Sequence, residues 1–155
     1  MNLQTVKNQK GFTIVELLIV IVVIGILAAI TIVAFNGVQN RGKTASAESA
    51  ANTVLKKAEA ANSITSSYPQ NAGGFSANNE SSLTGSGVVL VATNITAAPT
   101  NPATLYIVPC TGTAGTGGRI TYWDYTVPGA VVKSYGQPTA AGTCAAGTPI
   151  PAATF

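Results

Sequence analysis

The amino-acid sequence predicts an α+β fold, one long N-terminal helix followed by a small antiparallel sheet. Three observations point there. The run FTIVELLIVIVVIGILAAITIVAF, Phe12 to Phe35, is apolar except at Thr13, Glu16, Gly25 and Thr31. The next segment, from Ala45 to about Thr65, places small apolar residues at helical spacing. From residue 67 onward the chain turns to Gly, Ser, Thr, Asn and Pro with short apolar islands, the pattern of strands separated by turns. Its 155 residues suit one domain, and a hydrophobic share of 46% is ordinary, but only 8% is charged, where about 25% is usual. That imbalance excludes an acidic tail or a charged disordered region. Eight Lys and Arg with no His do not make a polycationic surface, so direct nucleic-acid binding is not indicated.

The first element is a membrane helix. Leu17 to Phe35 is charge-free and close to the ~20 residues that cross a hydrocarbon core. A single span must bond its own backbone, so it is helical in lipid in spite of its β-branched residues. Lys7 and Lys10 before it and Arg41 and Lys43 after it leave the positive-inside rule undecided. A removable secretory signal is disfavoured because Ala45-Ser46-Ala47 lies too far beyond the run to be its cleavage site. Glu16 stands out, since a carboxylate in an apolar span is costly and is usually paired and functional. The alternative places Glu16 at headgroup level, reaching water.

Gly37 to Thr44 reads GVQNRGKT and matches the phosphate-loop pattern G-x-x-x-x-G-K-[ST]. That chemistry needs a short buried strand before the loop, a helix after it and α/β alternation. The segment before it is too long for a strand of ~5–6 residues. Arg41 and Lys43 read instead as the membrane–water boundary. Ala47, Ala51, Val54, Ala58 and Ala61, with Leu55 beside them, form a narrow stripe suited to close packing on a sheet. Glu48, Asn52, Lys56 and Glu59 fall on other faces. The two segments are expected to join into one helix from Phe12 to about Thr65, on the order of 80 Å at 1.5 Å per residue. Asn36-Gly37 and Gly42 are its weak points, and Tyr68-Pro69 is its expected end.

Pro69 to Gly87 reads as a long loop. Four strands are expected, at Val88–Ala92, Thr104–Val108, Arg119–Thr126 and Ala130–Tyr135, with the tail from Gly136 to Phe155 mostly loop. Cys110 and Cys144 are the only cysteines. In an exported domain an even pair is most simply a disulfide, and this one would close a loop of about 35 residues, worth roughly 4 kcal/mol. Two free buried thiols are the alternative. Tyr122, Trp123 and Tyr125 are expected to pack in the core rather than to form a ligand platform.

Catalysis finds little support. The chain has no His, and beyond residue 60 its only acids are Glu80 and Asp124, too few for two-carboxylate chemistry or a calcium loop. No CxxC or CxxH spacing suggests zinc. No catalytic residue, metal ligand or cofactor is therefore expected. Asn79-Glu80-Ser81 and Asn94-Ile95-Thr96 are formal glycosylation sequons and weak evidence of modification.

The segment KGFTIVELLIVIVVIGILAAITI resembles the N-terminus of a type IV prepilin or pseudopilin, with its class III signal and N-terminal methylation motif. The resemblance covers roughly residues 7 to 35. It implies a leader of residues 1–11 that a prepilin peptidase removes after Gly11, and N-methylation of the new terminal residue, Phe12. It also implies that Glu16 pairs with the N-terminal amine of a neighbouring subunit and sets the stagger between copies. Residues 12–35 would then be the transmembrane and assembly helix, 36–66 its amphipathic continuation, and 67–155 the outer sheet domain. Pilins often carry a C-terminal disulfide loop, in agreement with Cys110 and Cys144. Many also carry Pro late in the apolar run; the matching residue here is Val33, which keeps its N–H and removes the usual cause of a kink. The implied partners are copies of the same chain, the peptidase, an assembly platform with its ATPase, and the membrane before assembly. The implied location is single-pass membrane first and extracellular filament afterwards. A type II secretion pseudopilin or a minor competence pilin is the alternative within the family, although the scarcity of acids argues against the calcium-binding major pseudopilin. A single-span anchored surface binding protein is the alternative of another class. Loss of the leader would take Lys7 and Lys10 away from a formal charge of +3.

Overall fold

The computed structural model describes residues 11–76, 80–110, 117–136 and 149–155. One helix, α1 (Ile14–Thr65), is followed by a 3-10 turn (Ala72–Phe75) and five strands: β1 (Val89–Val91), β2 (Thr104–Pro109), β3 (Gly117–Asp124), β4 (Gly129–Gly136) and β5 (Ala153–Thr154). The α+β class expected from the sequence is the one observed. The chain divides into two units, the first reaching Val38 and the second beginning at Gln39.

Helix α1 passes through Asn36-Gly37 and Gly42 without a break, so the predicted weak points do not interrupt it, and it runs unbroken through Val33 as the missing Pro implies. Each helical glycine costs only about 1 kcal/mol relative to Ala, less than the cost of opening the hydrogen-bond ladder on both of its sides. The helix ends three residues before the predicted stop at Tyr68-Pro69. Ser66 adopts a left-handed conformation with φ 55°, and its N–H bonds back to the Asn62 carbonyl at 2.8 Å. The Thr65 hydroxyl occupies the Ala61 carbonyl at 2.8 Å. The bond to Asn62 satisfies one of the helix-end carbonyls, and the hydroxyl bond adds a second donor at Ala61.

In the first unit every residue from Gly11 to Val38 is exposed, including the large apolar side chains from Ile14 to Phe35. In the second unit α1 buries Ala47, Ala50, Ala51, Val54, Ala58 and Ala61. All five positions of the sequence-derived stripe are among them, and Leu55 packs at the edge. Small side chains let the helix lie close to Leu90, Leu105, Ile107, Ile120, Tyr122 and Tyr135, which complete the core with Phe75, Leu83, Val88 and Ile150. Burying side chains such as Leu105 and Ile107 contributes about 1.5–3 kcal/mol each.

The strand order is β4-β3-β2-β1-β5. Strands β2, β3 and β4 form an antiparallel meander, with Ile107 opposite Ile120 and Ile120 opposite Lys133. Two features depart from expectation. Strand β1 runs parallel to β2, Leu90 lying opposite Leu105, and the tail supplies β5, which pairs antiparallel with β1. The parallel pair follows from the link between Val91 and Thr104, which carries the chain back so that β2 starts level with β1. Ala153-Thr154 has no hydrophobic alternation of its own and becomes a strand by closing the free edge of β1.

Register in the β3–β4 hairpin is held by one close approach. Tyr135 lies opposite Gly118, and a Cβ on Gly118 would run into the Tyr135 ring. The ring covers the glycine and meets Tyr68 at 5.5 Å between centroids. Burial pushes the Tyr135 hydroxyl pKa well above its ordinary value. Because side chains alternate along a strand, this anchor also turns Lys133 toward the helix. Its amine meets Glu48 Oε1 at 2.8 Å and Asn52 Oδ1 at 2.8 Å. Cys110 is buried at the end of β2; Cys144 lies outside the described residues, and with it the expected pairing.

Candidate functional site

The apolar segment begins with a local capping arrangement. Thr13 is the residue before α1 and Glu16 is the third residue inside it. The Thr13 N–H donates to Glu16 Oε2 at 2.8 Å and the Thr13 hydroxyl donates to the same oxygen at 2.6 Å. In return the Glu16 N–H donates to the Thr13 hydroxyl at 3.3 Å. This reciprocal pattern is a capping box, which satisfies orphan donors of the first turn and fixes where the helix starts. The first ladder bond, from Leu17 N–H to the Thr13 carbonyl, is 3.3 Å.

The box has two chemical consequences. It keeps Gly11 and Phe12 outside the helix, both exposed, so the peptide bond between them is not drawn into helical hydrogen bonding. It also holds the Glu16 carboxylate by one oxygen only; among the described residues no hydrogen bond reaches Oε1. Phe12, Glu16, Leu17 and Val20 line a shallow recess of about 280 Å³ beside that carboxylate. Glu16 is the only charged residue between Phe12 and Arg41. The recess therefore combines an apolar wall with a single anionic acceptor, a combination that suits a cation carried on an apolar chain.

The sequence-derived site residues fall at separate places. Gly11, Phe12 and Glu16 lie together at the start of α1. Cys110 is in the second unit. The leader up to Lys10, Asn79 and Cys144 lie outside the described residues, while Asn94 is exposed in the link between β1 and β2. Thr13 is the residue that sequence reasoning missed, although the signal was present: T-x-x-E directly before an apolar run is the written form of a capping box.

The phosphate-loop match resolves differently. Gly37 to Thr44 is helical throughout, so its amides serve the helix ladder and form no phosphate cradle. Thr44 instead fastens the β3–β4 turn to α1. Its hydroxyl donates to Asp124 Oδ1 at 2.9 Å and accepts from the Tyr125 and Thr126 N–H groups at 2.9 and 3.2 Å. Asp124 Oδ1 also accepts from the Thr126 and Val127 N–H groups at 2.7 and 3.2 Å. Those amides, followed by the Thr44 hydroxyl, hold the Asp124 carboxyl below the ordinary carboxylate range. Lys43 sits over the Tyr125 ring at 5.6 Å. The Tyr125 hydroxyl donates to the Pro99 carbonyl at 2.6 Å, which gives this ring the packing role expected of it.

Residues 6–32 match the family described as the prokaryotic N-terminal methylation motif, the class III signal of type IV pilins. No solved structure matches the chain. The motif and the exposed apolar helix together fit a type IV pilin-like precursor, with a helix compatible with membrane anchoring and an N-terminus of the kind prepilin peptidase processes.

Proposed function

We propose that this chain is the precursor of a structural subunit of a type IV pilus-like filament, and that it works by assembly rather than by catalysis. The observation that carries the reading is the coincidence of the methylation motif with an apolar helix that is exposed on all sides and bears one half-satisfied carboxylate.

Cleavage after Gly11 releases the amine of Phe12, which is then methylated. Before assembly, lipid covers the apolar residues from Ile14 to Phe35. Moving that surface from lipid into a bundle of like helices brings almost no hydrophobic gain, because lipid tails are as apolar as Leu. The drive must therefore come from close packing and from the few polar groups present. A lone carboxylate and a lone amine are each costly there, and pairing them relieves both. Glu16 Oε1 accepts the Phe12 amine of a neighbouring copy, while Thr13 holds Oε2. An uncleaved chain has no such amine, so processing gates assembly. The sheet domain then faces outward in the extracellular filament.

The test is co-expression with a prepilin peptidase followed by mass spectrometry of the N-terminus. The expected product starts at methylated Phe12. A chain that keeps Met1 in the presence of active peptidase overturns the reading.

A further inference from the structure

We infer that Lys133 and Asn52 join in an intramolecular isopeptide bond, with Glu48 moving the protons, so that strand β4 becomes covalently fixed to α1. The inference goes beyond the assembly reading and does not depend on it, since all three residues belong to the second unit.

Three observations converge on this cluster. The first is geometry. Glu48 and Asn52 stand at i and i+4 in α1 and so share a face. Lys133 reaches both from β4, its Nζ lying 2.8 Å from Glu48 Oε1 and 2.8 Å from Asn52 Oδ1. The amine therefore stands beside the carboxamide carbon that carries Oδ1, and Glu48 is within the roughly 2.6–3.2 Å that proton transfer requires. The second is restraint. Lys133 lies opposite Ile120, which is fully buried, and the Tyr122 ring is 5.7 Å from Nζ. The Lys133 side chain is only 26% exposed as a result. An amine held against its target in this way reacts as if at an effective concentration of up to about 10⁵–10⁸ M. The third is position. Strand β4 ends the sheet, with β3 as its neighbour on one side, so a link to α1 secures a strand whose ladder bonds hold it along one edge only.

The reaction balances without any further reactant. Glu48 takes a proton from the Lys133 ammonium, and the free amine attacks Asn52 Cγ. The Nζ–Cγ bond forms and the Cγ–Nδ2 bond breaks. Two protons leave Nζ in all and reach Nδ2 through Glu48, so that nitrogen departs as ammonium and charge is conserved. Solvent at Glu48, whose side chain is 50% exposed, carries the ammonium away and makes the step irreversible.

The test is the intact mass of the reduced full chain purified in detergent, followed by tryptic mapping. The expected mass falls short of the sequence mass by one ammonia. The expected map joins residues 44–56, which hold Asn52, to residues 120–155, which hold Lys133 and escape cleavage there. Lys133→Arg and Asn52→Ala should each restore the full mass and separate the two peptides, and Glu48→Gln should slow linkage roughly 100-fold. Separate peptides at full mass in the parent chain overturn the inference. So does an ammonia loss confined to residues 44–56, which is succinimide closure at Asn52 without a link. Linkage in Glu48→Gln at the parent rate overturns the role assigned to Glu48.

Discussion

Replacing Thr13 by Ala isolates what the capping box does. The substitution removes the hydroxyl that donates to Glu16 Oε2 at 2.6 Å and accepts from the Glu16 N–H at 3.3 Å, and it leaves the amide-to-carboxylate bond of 2.8 Å. Loss of an N-cap costs about 0.5–2 kcal/mol, and a hydrogen bond to a charged group about 1.5–3 kcal/mol. Since one of the two bonds to Oε2 survives, the net expectation is about 1.5 kcal/mol, roughly tenfold in the closed-to-open ratio of the first turn. Hydrogen exchange followed by mass spectrometry on the full chain in nanodiscs reads this directly. The Glu16 and Leu17 amides, bonded to the Thr13 hydroxyl and carbonyl, should exchange roughly tenfold faster in Thr13→Ala, whereas Thr13→Ser, which keeps the hydroxyl, should stay within about twofold of the parent. Equal exchange in Thr13→Ala and the parent would refute the reasoning. So would a Thr13→Ser variant as fast as Thr13→Ala, because the box would then owe nothing to the hydroxyl.

Four further outcomes are expected. Glu16→Ala should insert into membranes normally and lose filament growth, read by comparing membrane and sheared surface fractions; undiminished filaments would remove Glu16 from the assembly mechanism. Leu105→Ala, at a fully buried position, should cost about 2–5 kcal/mol in denaturant unfolding in detergent. Ala51→Leu, fully buried in the helix stripe, should cost about 1–3 kcal/mol through overpacking. Asp124 predicts a pH dependence. Its folded pKa lies below the unfolded value, so its stabilisation is fully present above about pH 4 and fades as pH falls through the folded pKa. The melting-temperature gap between the parent and Asp124→Asn should accordingly be widest near neutrality and close under acid; a gap that widens with falling pH contradicts the clasp.

Features with a local origin were legible in the sequence. The apolar helix follows from composition alone, because a run without charge has one stable form in lipid. The buried stripe of Ala47, Ala51, Val54, Ala58 and Ala61 follows from the 3.6-residue period, which is a property of one helix and its own face. The Thr13–Glu16 box is equally local and was readable from T-x-x-E. The phosphate-loop pattern at Gly37–Thr44, set aside in the sequence for want of a preceding strand, sits inside a helix, since short patterns do not carry their own context.

Tertiary structure decided what depends on partners far along the chain. Nothing near Val89 announces that it will run parallel to Thr104, and nothing in Ala153-Thr154 marks a strand; both arise because an exposed ladder of N–H and C=O groups must be paired. Thr44 and Asp124 lie 80 residues apart and Glu48 and Lys133 lie 85 apart, distances at which no periodicity reports contact. Composition and period alone dictate an apolar N-terminal helix and the face on which its second half packs. Only the tertiary structure decided how the sheet closes on that face and which polar side chains fasten the two, because those bonds exist only once hydrophobic packing has brought distant backbone together.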